Sequence, residues 1–506
     1  MNKIRNIDPT TTLIPFSIIA ALCMCLALFP ENSTLCLTEI RIYMGERFGV
    51  FYLICGLGIF LVSLWIAFSD LGSIKLGHDD EQPRYTFFSW GAMVFTCGLA
   101  ADIVFYSFSE WISYAQESYV LAKGSFQLWG ATYPLFHWGF IPWSIYAVLS
   151  ACFGFMLHVR IRHKQKYSEA CRAILGDKTD RWQGKCIDVI AVFALIAGTA
   201  TTFSVATPLL SKAVMVLLGI PDSKFLTIFL LATTCLVYTL AVLKGMKAVS
   251  ILADSCMYLF AGLLLYVFIF GGEPTYIVET GFAALGNMVQ NFIGLSTWTD
   301  PLRETGFPQN WTMFFWAYWM VWGVASPFFM GKISRGRTIK QTILGTYIFG
   351  VSSTLISFII LGNYGLGLKM HGVFDAVAYF TTTGNTYQTV MAIIEHLPLA
   401  NIFLFLLVIT MIAFYATSFD SITLVASQYS YKKMSGDEEA DGGVKLFWSI
   451  LLIMLPIALI FSESSMNNLQ TVSIIAAFPI ALVILLIIVS FIKDGKDFLK
   501  DKRRGG

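Results

Sequence analysis

The sequence predicts an all-α integral membrane protein with twelve transmembrane helices, and three observations support this fold class. The 506-residue chain is 56% hydrophobic and only 13% charged, with a mean hydropathy of +0.69, which is more apolar than a water-soluble domain can bury. Apolar stretches of roughly 20 residues, the length that spans a bilayer, recur along the whole chain. Lysine and arginine concentrate in some of the connecting loops and are nearly missing from others.

The twelve predicted helices follow one another in the chain with mostly short connections. They cover residues 12–29, 49–70, 86–107, 138–159, 187–212, 226–243, 248–272, 309–331, 340–363, 401–426, 446–462 and 470–493. The first helix ends in FPENST instead of a small-residue cleavage site, so we expect a retained helix and not a signal peptide. Residues 273–308 are predicted to form a loop, and residues 371–400, which are half apolar, short helices on the outer surface.

The distribution of basic residues predicts the orientation in the membrane. Residues 160–186 contain eight lysines and arginines, whereas residues 273–308 contain only Arg303 and residues 364–400 only Lys369. Cytoplasmic loops are the ones enriched in lysine and arginine. We therefore expect a multi-pass protein of the cell (inner or plasma) membrane, surrounded by lipid, with both termini in the cytoplasm.

Several functional classes are disfavoured by the sequence. A net charge of +2 gives no reason to expect nucleic acid as a partner. A G-x-x-x-x-G-K-[ST] loop for nucleotide hydrolysis is missing, and SFDS at residues 418–421 lacks the G-x-G-D context of an intramembrane protease, so we do not expect an enzyme. The ten cysteines have no paired metal-ligand spacing. A solute-gated sensor or a channel is an alternative function that the sequence does not distinguish from a carrier.

Two clusters of aromatic residues interrupt the apolar stretches. They consist of Trp316, Tyr318, Trp319 and Trp322 in the eighth helix, and Trp138, Trp143 and Tyr146 near the start of the fourth. An interfacial belt or bulky core packing is the alternative interpretation, but belts lie at helix ends and the tryptophan stripe runs through the middle of its helix. If the clusters face one another, they form a box for a cation that cannot donate hydrogen bonds, namely a quaternary ammonium group. Each desolvated cation-π contact contributes roughly 2 kcal/mol.

Long motifs in a fixed order resemble the betaine/choline/carnitine transporter family from end to end. They are GSIKLGHDDEQPRYTFFSW, HWGFIPWSIY, GTATTFSVATPLL, FPQNWTMFFWAYWMVW continuing to ISRGRT, and TSFDSITL. Within the family, TDPLRETGFPQNWT and ATPLL are most similar to the carnitine/γ-butyrobetaine exchanger. The resemblance implies a secondary transporter that works by alternating access and assembles as a homotrimer.

The same resemblance implies a LeuT-like core of two inverted five-helix repeats with two extra N-terminal helices. The chain is then one polytopic domain, with N-terminal helices in residues 1–85, a first repeat in residues 86–272, a second repeat in residues 309–493 and a short tail in residues 494–506. Breaks in corresponding helices mark the substrate site of such transporters. Small residues at the expected breaks are Gly98, Ala100 and Gly323.

Carried over to this sequence, the family's substrate box is Trp138, Trp143, Tyr146, Trp319 and Trp322. Tyr318 departs from the family pattern, in which a tryptophan usually stands at this position. Its hydroxyl is expected to bond a polar group of the substrate. The non-ammonium end of the substrate is therefore the part that the resemblance leaves open.

A polar group in the fifth and tenth helices resembles the sodium site of the family. It comprises Thr199, the backbone carbonyl of Phe414, Thr417 and Ser418, which supply hard oxygen ligands. The alternative is that these hydroxyls only bond carbonyls of their own helices. The exchanger has apolar residues at the hydroxyl positions and an arginine where this chain has Ala253, so Na⁺ coupling is favoured over cation-free exchange. H⁺ coupling stays open, and no other metal or cofactor is expected.

Three acidic residues lie inside the predicted spans, where a carboxylate is costly and usually functional: Asp102, Asp254 and Asp420. Asp254 has no assignment, and Asp420 suits a role in bonding its own helix. Asp102 ends CGLAAD, where betaine carriers have spaced glycines and some proton-coupled choline carriers have aspartate. An ionised Asp102 would attract choline and repel the carboxylate of a betaine, so choline is the favoured substrate. A carnitine, γ-butyrobetaine or glycine betaine carrier is the alternative, and Asp102 as a helix cap is another.

Overall fold

The computed structural model describes residues 7–99, 101–324, 326–434, 438–461 and 466–505. Regular structure in these ranges is helical, without a β-strand among the described residues. Eight of the described helices are long and apolar enough to cross a membrane, or up to ten if each of two bent pairs counts as one span. The prediction of an all-α membrane protein is confirmed, while the count of twelve spans and the inverted repeat stay predictions.

The helices of the first half are α1 (Pro9–Leu28), α2 (Pro30–Phe68), α3 (Phe87–Gly98), α4 (Asp102–Tyr114), α5 (Ser118–Leu121), α6 (Phe126–His137), α7 (Phe140–His158), α8 (Tyr167–Ala170), α9 (Arg172–Leu175), α10 (Trp182–Leu218), α11 (Lys224–Lys244) and α12 (Met246–Phe270). The helices of the second half are α13 (Pro274–Thr297), α14 (Met313–Trp322), α15 (Ser326–Ile333), α16 (Ile339–Thr346), α17 (Ser352–Ser357), α18 (Asn363–Met370), α19 (Ala376–Thr383), α20 (Thr386–Glu395), α21 (Ala400–Tyr429), α22 (Gly442–Phe461) and α23 (Met466–Gly505). Short 3₁₀ segments are Asp70–Ser73 and Gly176–Asp180, and π-helical segments are Pro308–Thr312, Tyr347–Val351 and Phe358–Gly362.

Two of the predicted spans are broken where the sequence has small residues. α3 and α4 meet at 62°, and the segment that ends with α14 meets α15 at 51°. Gly98 is the last residue of α3, and Gly323 follows the last residue of α14. Ala100, the third predicted helix-break residue, lies outside the described residues. Helix ends in a protein interior leave backbone N–H and C=O groups that need hydrogen-bond partners.

The chain departs from the predicted elements in several places. α2 begins at Pro30, well before the predicted span 49–70, and α23 continues to Gly505, well beyond the predicted span 470–493. The presumed loop at 273–308 contains the 24-residue helix α13. Its apolar positions recur at helical spacing on one face, as in Ile277, Ala284 and Met288, and polar residues between them hide the helix from a search for long apolar runs. α4 continues to Tyr114, seven residues beyond the predicted end of that span. α6, which precedes the predicted fourth helix, was also not expected.

The predicted short helices in residues 371–400 are present as α19 and α20. Residues 389–394 of α20 are buried, and α20 packs against α4, α10 and α21. The two bent pairs lie in the middle of the bundle. α14 packs against α2, α7, α10 and α23, while α3 and α4 pack against α10, α12 and α21. The two breaks therefore lie among α7, α10 and α21.

Candidate functional site

Four of the five predicted box residues form one buried aromatic cluster. The ring of Trp319 on α14 lies 5.3 Å from that of Trp138, 5.9 Å from that of Trp143 and 5.3 Å from that of Tyr146, measured between centroids. Trp143 and Tyr146 are in edge contact with each other at 5.5 Å. These separations are those of edge-to-face and tilted aromatic pairs in contact. The two sequence clusters thus meet, with Trp319 as the ring that touches all the others.

Two glycines set the position of the Trp143 ring. A Cβ atom added at Gly98 would lie 2.7 Å from Cη2 of Trp143, and one added at Gly350 would lie 2.3 Å from its Cδ2. Both distances are shorter than real carbon contacts, so each position requires glycine for the ring to stay where it is. Gly98, predicted from its place at the helix break, therefore also supports the aromatic cluster. Gly350 was not predicted, because nothing in the sequence near it indicates a neighbouring indole.

Trp322 stands apart from the other four box residues. It is buried, and its Cδ1 atom would lie 3.6 Å from a Cβ added at Gly198 on α10. The stripe of tryptophans has a period of three, so it drifts around the helix, and by Trp322 it faces α10 instead of α7. Among the described residues, no ring contact joins Trp322 to Trp319 or to the α7 aromatics. Its role in substrate binding stays a prediction.

Asp102 is the first residue of α4 and is buried, with 3% of its surface exposed. The Tyr318 hydroxyl donates to its Oδ2 atom at 2.6 Å, and the Thr202 hydroxyl lies 3.4 Å from the same atom. Thr202 and Tyr318 are themselves 3.1 Å apart. In this structure the Tyr318 hydroxyl is therefore engaged by Asp102, while the expected bond to a substrate stays a prediction. Thr202, on α10, was not predicted.

The carboxylate of Asp102 belongs to the same neighbourhood as the aromatic cluster. Tyr146 of the cluster and Tyr415 of α21 both lie within electrostatic range of it. As the first residue of α4, Asp102 also lies at the positive end of the helix dipole, which stabilises a negative charge there. The site therefore combines π faces with a fixed carboxylate, which is the chemistry that binds an organic cation.

A second carboxylate of α4 reaches the cluster and was missed, because the predicted span ended at residue 107. The Glu110 side chain is buried, and its Oε2 atom accepts a hydrogen bond of 2.6 Å from the Trp138 indole. Its Oε1 atom accepts from the Tyr114 hydroxyl, which in turn lies 2.5 Å from Nδ1 of His137. Positions 102, 106 and 110 share one helix face, so the spacing from Asp102 was the signal that could have identified Glu110.

A cavity of about 260 Å³ borders the aromatic cluster on the side of Glu110. Its wall includes Tyr106, whose ring lies 5.1 Å from that of Trp138, and Glu117, which accepts a 2.7 Å hydrogen bond from the Trp311 indole. The lining also includes the cation Arg41, so the cavity carries charges of both signs beside its aromatic rings.

The predicted sodium ligands on α21 lie against the end of α3. The Ser418 hydroxyl bonds the backbone oxygens of Thr96 and Leu99 at 2.9 and 3.0 Å. The Thr417 hydroxyl lies 3.1 Å from the carbonyl oxygen of Phe414, within its own helix. Ser418 therefore joins the tenth predicted span to the first helix break. Thr199 and Thr417 both behave as the alternative interpretation expects. The Thr199 hydroxyl donates to Leu195 of α10 at 2.7 Å, and the Thr417 hydroxyl donates to Ala413 and Phe414 of α21 at 3.0 and 3.1 Å.

These oxygens are of the neutral, hard type that an alkali cation binds. A single Ser418 hydrogen cannot fully satisfy two carbonyl oxygens, so acceptor capacity remains at the end of α3. Together with the Phe414 carbonyl and the Thr417 hydroxyl, the oxygens are neutral, hard and drawn from two helices, as Na⁺ prefers. The residues that would hold a cation here are therefore Thr417, Ser418 and the backbone of Thr96, Leu99 and Phe414. Among the described side chains, no cluster of three histidine, cysteine or acidic residues suits a transition metal.

The other two intramembrane acids lie away from the aromatic cluster. Asp420 on α21 is fully buried, and its Oδ1 atom accepts a 3.0 Å hydrogen bond from Ser421. Asp254 on α12 accepts a 3.2 Å hydrogen bond from Ser89 of α3. Asp420 is thus bonded to the neighbouring side chain of its own helix, while the expected role in bonding the helix backbone stays a prediction, and Asp254 links two helices.

Comparison with known proteins identifies the family of the chain. The family described as BCCT, betaine/carnitine/choline family transporter, matches residues 10–498. The glycine betaine transporter OpuD of Bacillus subtilis is 31% identical over 88% of this chain and 86% of its own length. The high-affinity choline transport protein of Escherichia coli K12 is 28% identical over 99% of this chain and 73% of its own. A carnitine transporter of Acinetobacter baumannii is 25% identical over 83% of this chain and 76% of its own.

Proposed function

The chain belongs to the betaine/carnitine/choline transporter family, and on this basis we propose that it takes up a quaternary ammonium compound by secondary active transport. The observation that carries the proposal is the buried contact of Trp319 with Trp138, Trp143 and Tyr146. Ring faces attract a trimethylammonium group, which cannot donate hydrogen bonds and so gains little from ordinary polar pockets. The two broken helices beside the cluster suit a carrier that alternates access around a central site.

Choline is the substrate that we propose. Asp102, held by Tyr318, supplies a fixed negative charge beside the cluster. A net cation is stabilised by this charge, whereas the carboxylate of a betaine or carnitine is repelled by it. The hydroxyls of Tyr318 and Thr202 offer polar partners for the alcohol of choline.

A zwitterionic substrate is the second candidate, and one observation favours it. The Asp102 carboxylate already accepts from Tyr318 and lies near Thr202, and hydrogen bonds of this kind offset part of its charge. Glycine betaine, carnitine and γ-butyrobetaine carry the same trimethylammonium group and would use the same rings. The relative OpuD is named a glycine betaine transporter.

For the coupling ion we propose Na⁺, bound by the oxygens at the junction of α3 and α21. Retention of both Thr417 and Ser418 supports Na⁺ over cation-free exchange, and the contact of Ser418 with Thr96 and Leu99 would tie the ion to the helix break. H⁺ coupling through Asp102 and substrate exchange are the alternatives. We further propose a homotrimer in the inner or plasma membrane with both termini in the cytoplasm.

Uptake into liposomes tests the proposal. The purified protein is reconstituted, and radiolabelled choline or glycine betaine uptake is measured under an inward Na⁺ gradient, an inward H⁺ gradient, neither gradient, or internal carnitine. We expect concentrative choline uptake under the Na⁺ gradient. Uptake that only equilibrates the label in every condition would identify a channel, and uptake that requires internal carnitine would identify an exchanger.

A further inference from the structure

A network of hydrogen bonds holds one wall of the aromatic cluster, and we call it the Glu110 network: Glu110, Tyr114, His137 and Thr312. The Glu110 carboxylate has one donor on each oxygen, Trp138 on Oε2 and Tyr114 on Oε1. If Tyr114 donates to Glu110, His137 donates from Nδ1 to the Tyr114 oxygen. Its Nε2 atom then accepts from Thr312 at 3.0 Å, so every member has a partner.

Trp138 is the exception among the indoles of the cluster. In the described part of the chain, the indole nitrogens of Trp143, Trp319 and Trp322 are buried without a hydrogen-bond partner. Packing alone holds those rings. The Trp138 ring is in addition fixed at its nitrogen edge by a bond of 2.6 Å to a carboxylate, which is among the stronger hydrogen bonds of proteins.

The orientation of the Trp138 ring matters for the site because its plane stands at 78° to that of Trp319. A cation binds to a ring face and not to a ring edge, so a rotation of Trp138 would replace an attractive surface by a repulsive one. Burial of a carboxylate in a membrane protein costs free energy, so such a group is usually well hydrogen-bonded and functional. The Glu110 carboxylate meets both conditions if it orients the Trp138 ring.

We propose that Glu110 is a positioning residue, which sets the affinity for the ammonium group by holding the Trp138 indole through its nitrogen. The proposal rests on the proposed function of the cluster as an ammonium site. Tyr114 and His137 keep the carboxylate aimed at Trp138, and Glu110 itself touches the ring edge and not the substrate.

A double-mutant cycle separates this role from a general effect of the charge. Tetramethylammonium and choline binding to the full-length protein are measured by calorimetry for Glu110→Gln, Trp138→Phe and the double variant. Glutamine keeps the size of the side chain but offers a single acceptor oxygen. We expect Glu110→Gln to weaken binding about tenfold when Trp138 is present and less than twofold in the Trp138→Phe background, which lacks the indole N–H.

The chain provides a matched control in Glu117, which accepts from the Trp311 indole at 2.7 Å but lies outside the cluster. Glu117→Gln removes the same type of bond and the same charge, and we expect less than twofold weakening. Glu110→Asp keeps the charge and shortens the reach, so we expect it to weaken binding as much as Glu110→Gln does. Restored affinity in the aspartate variant would overturn the proposal in favour of a long-range charge effect.

Loss of affinity that is equal in the Trp138 and Phe backgrounds would also overturn it. Melting temperatures without ligand identify variants that fail to fold, and Tyr114→Phe then serves as the milder variant. It leaves the bond to Trp138 in place and removes the second donor, so we expect a smaller loss that again disappears in the Trp138→Phe background. If the unmodified protein binds neither tetramethylammonium nor choline, the proposed function fails and not merely the role of Glu110.

Discussion

The two helix breaks of this protein are satisfied by different kinds of groups. At the break between α3 and α4, carbonyl oxygens accept from Ser418, a candidate cation ligand. At the break between α14 and α15, the Gly323 and Val324 carbonyls accept from the hydroxyl of Tyr167 on the short helix α8. Each break shares one hydroxyl hydrogen between two carbonyls. The two donors differ in their surroundings: Ser418 adjoins the oxygens of Thr417 and Phe414, whereas the phenol of Tyr167 packs on the rings of Phe153 and Tyr429. The first break is thus suited to bind ligands, and the second to act as a joint.

The two breaks are also connected directly. The Ser326 hydroxyl, at the start of α15, donates to the carbonyl of Cys97 near the end of α3 at 2.6 Å. The first break carries Asp102 and faces the α21 hydroxyls, while the segment before the second break carries Trp319. The carboxylate of Asp102 and the candidate cation ligands therefore lie at one break, and Trp319 lies beside the other.

The largest effect is expected at the first break, from Asp102→Asn. In a partly dehydrated site with an effective dielectric near 20, opposite charges about 5 Å apart interact by roughly 3 kcal/mol, so choline affinity should fall by up to about two orders of magnitude. Binding of glycine betaine should be unchanged or improved, because a repulsive charge is removed. Both affinities are measured by calorimetry, with uptake driven by a pH gradient measured in the same variant.

The result distinguishes three roles of Asp102. Altered selectivity supports the role in choline recognition. Unchanged binding together with loss of pH-driven uptake would assign Asp102 to proton transport. Unchanged selectivity and an unchanged pH response would mean that the carboxylate only bonds the backbone and side chains at the start of α4.

A smaller effect is expected ahead of the second break, from Trp319→Leu. Loss of the central π face should weaken choline binding by about 2 kcal/mol, or roughly 30-fold, while Trp319→Tyr keeps a π face and should retain part of the affinity. Trp448→Leu is a control, since that buried ring of α22 contacts Phe447 and bonds Ser430 and does not contact the cluster. Equal binding by the leucine and tyrosine variants would contradict the cation-π account.

The double variant Thr417→Ala with Ser418→Ala tests the ion site at the first break. We expect the Na⁺ concentration for half-maximal uptake to rise by about tenfold or more, with little change in choline affinity at saturating Na⁺. Thr410→Ala is the control, because Thr410 is a buried hydroxyl of α21 that bonds only within its own helix. Uptake by the unmodified protein that is indifferent to Na⁺ would exclude this ion site.

The smallest effect on binding is expected from Tyr167→Phe at the second break. Two buried carbonyls lose their donor, so the free energy of unfolding should fall by about 1–3 kcal/mol, while choline and Na⁺ affinities change less than twofold. Tyr238→Phe is the matched control, because its hydroxyl donates to a backbone carbonyl, that of Ser449, away from both breaks. A tenfold change in Na⁺ affinity for Tyr167→Phe would show that the second break is not merely a joint.

The sequence pattern predicted the parts of the site that depend on residue type and helical spacing. The expected contact is present among four aromatic residues, because their clusters lie away from the helix ends where interfacial belts form: Trp138, Trp143, Tyr146 and Trp319. Thr202 could not be found in this way, since a threonine in a membrane helix most often bonds its own backbone. Its proximity to Asp102 depends on how α10 packs against α4.

Prediction of the fold from the sequence is limited in the same way, by contacts between residues that are remote in the chain. The long apolar runs predicted most spans to within a few residues, because length and hydropathy determine a membrane helix locally. α13 and the C-terminal part of α4 escaped, since their polar residues face protein partners that are remote in sequence. Glu110 is the clearest case, because its burial is decided by Trp138 and Tyr114 and not by its neighbours in the chain.

The central claim is that one buried aromatic and acidic site binds a quaternary ammonium cation and is linked to Na⁺ through the first break. Its most direct test is calorimetric titration of the purified protein with choline, glycine betaine, carnitine and γ-butyrobetaine, each in Na⁺ and in K⁺ buffer. We expect choline to bind most tightly and its affinity to rise in Na⁺. Failure of all four compounds to bind, or identical affinities in Na⁺ and K⁺, would contradict the claim.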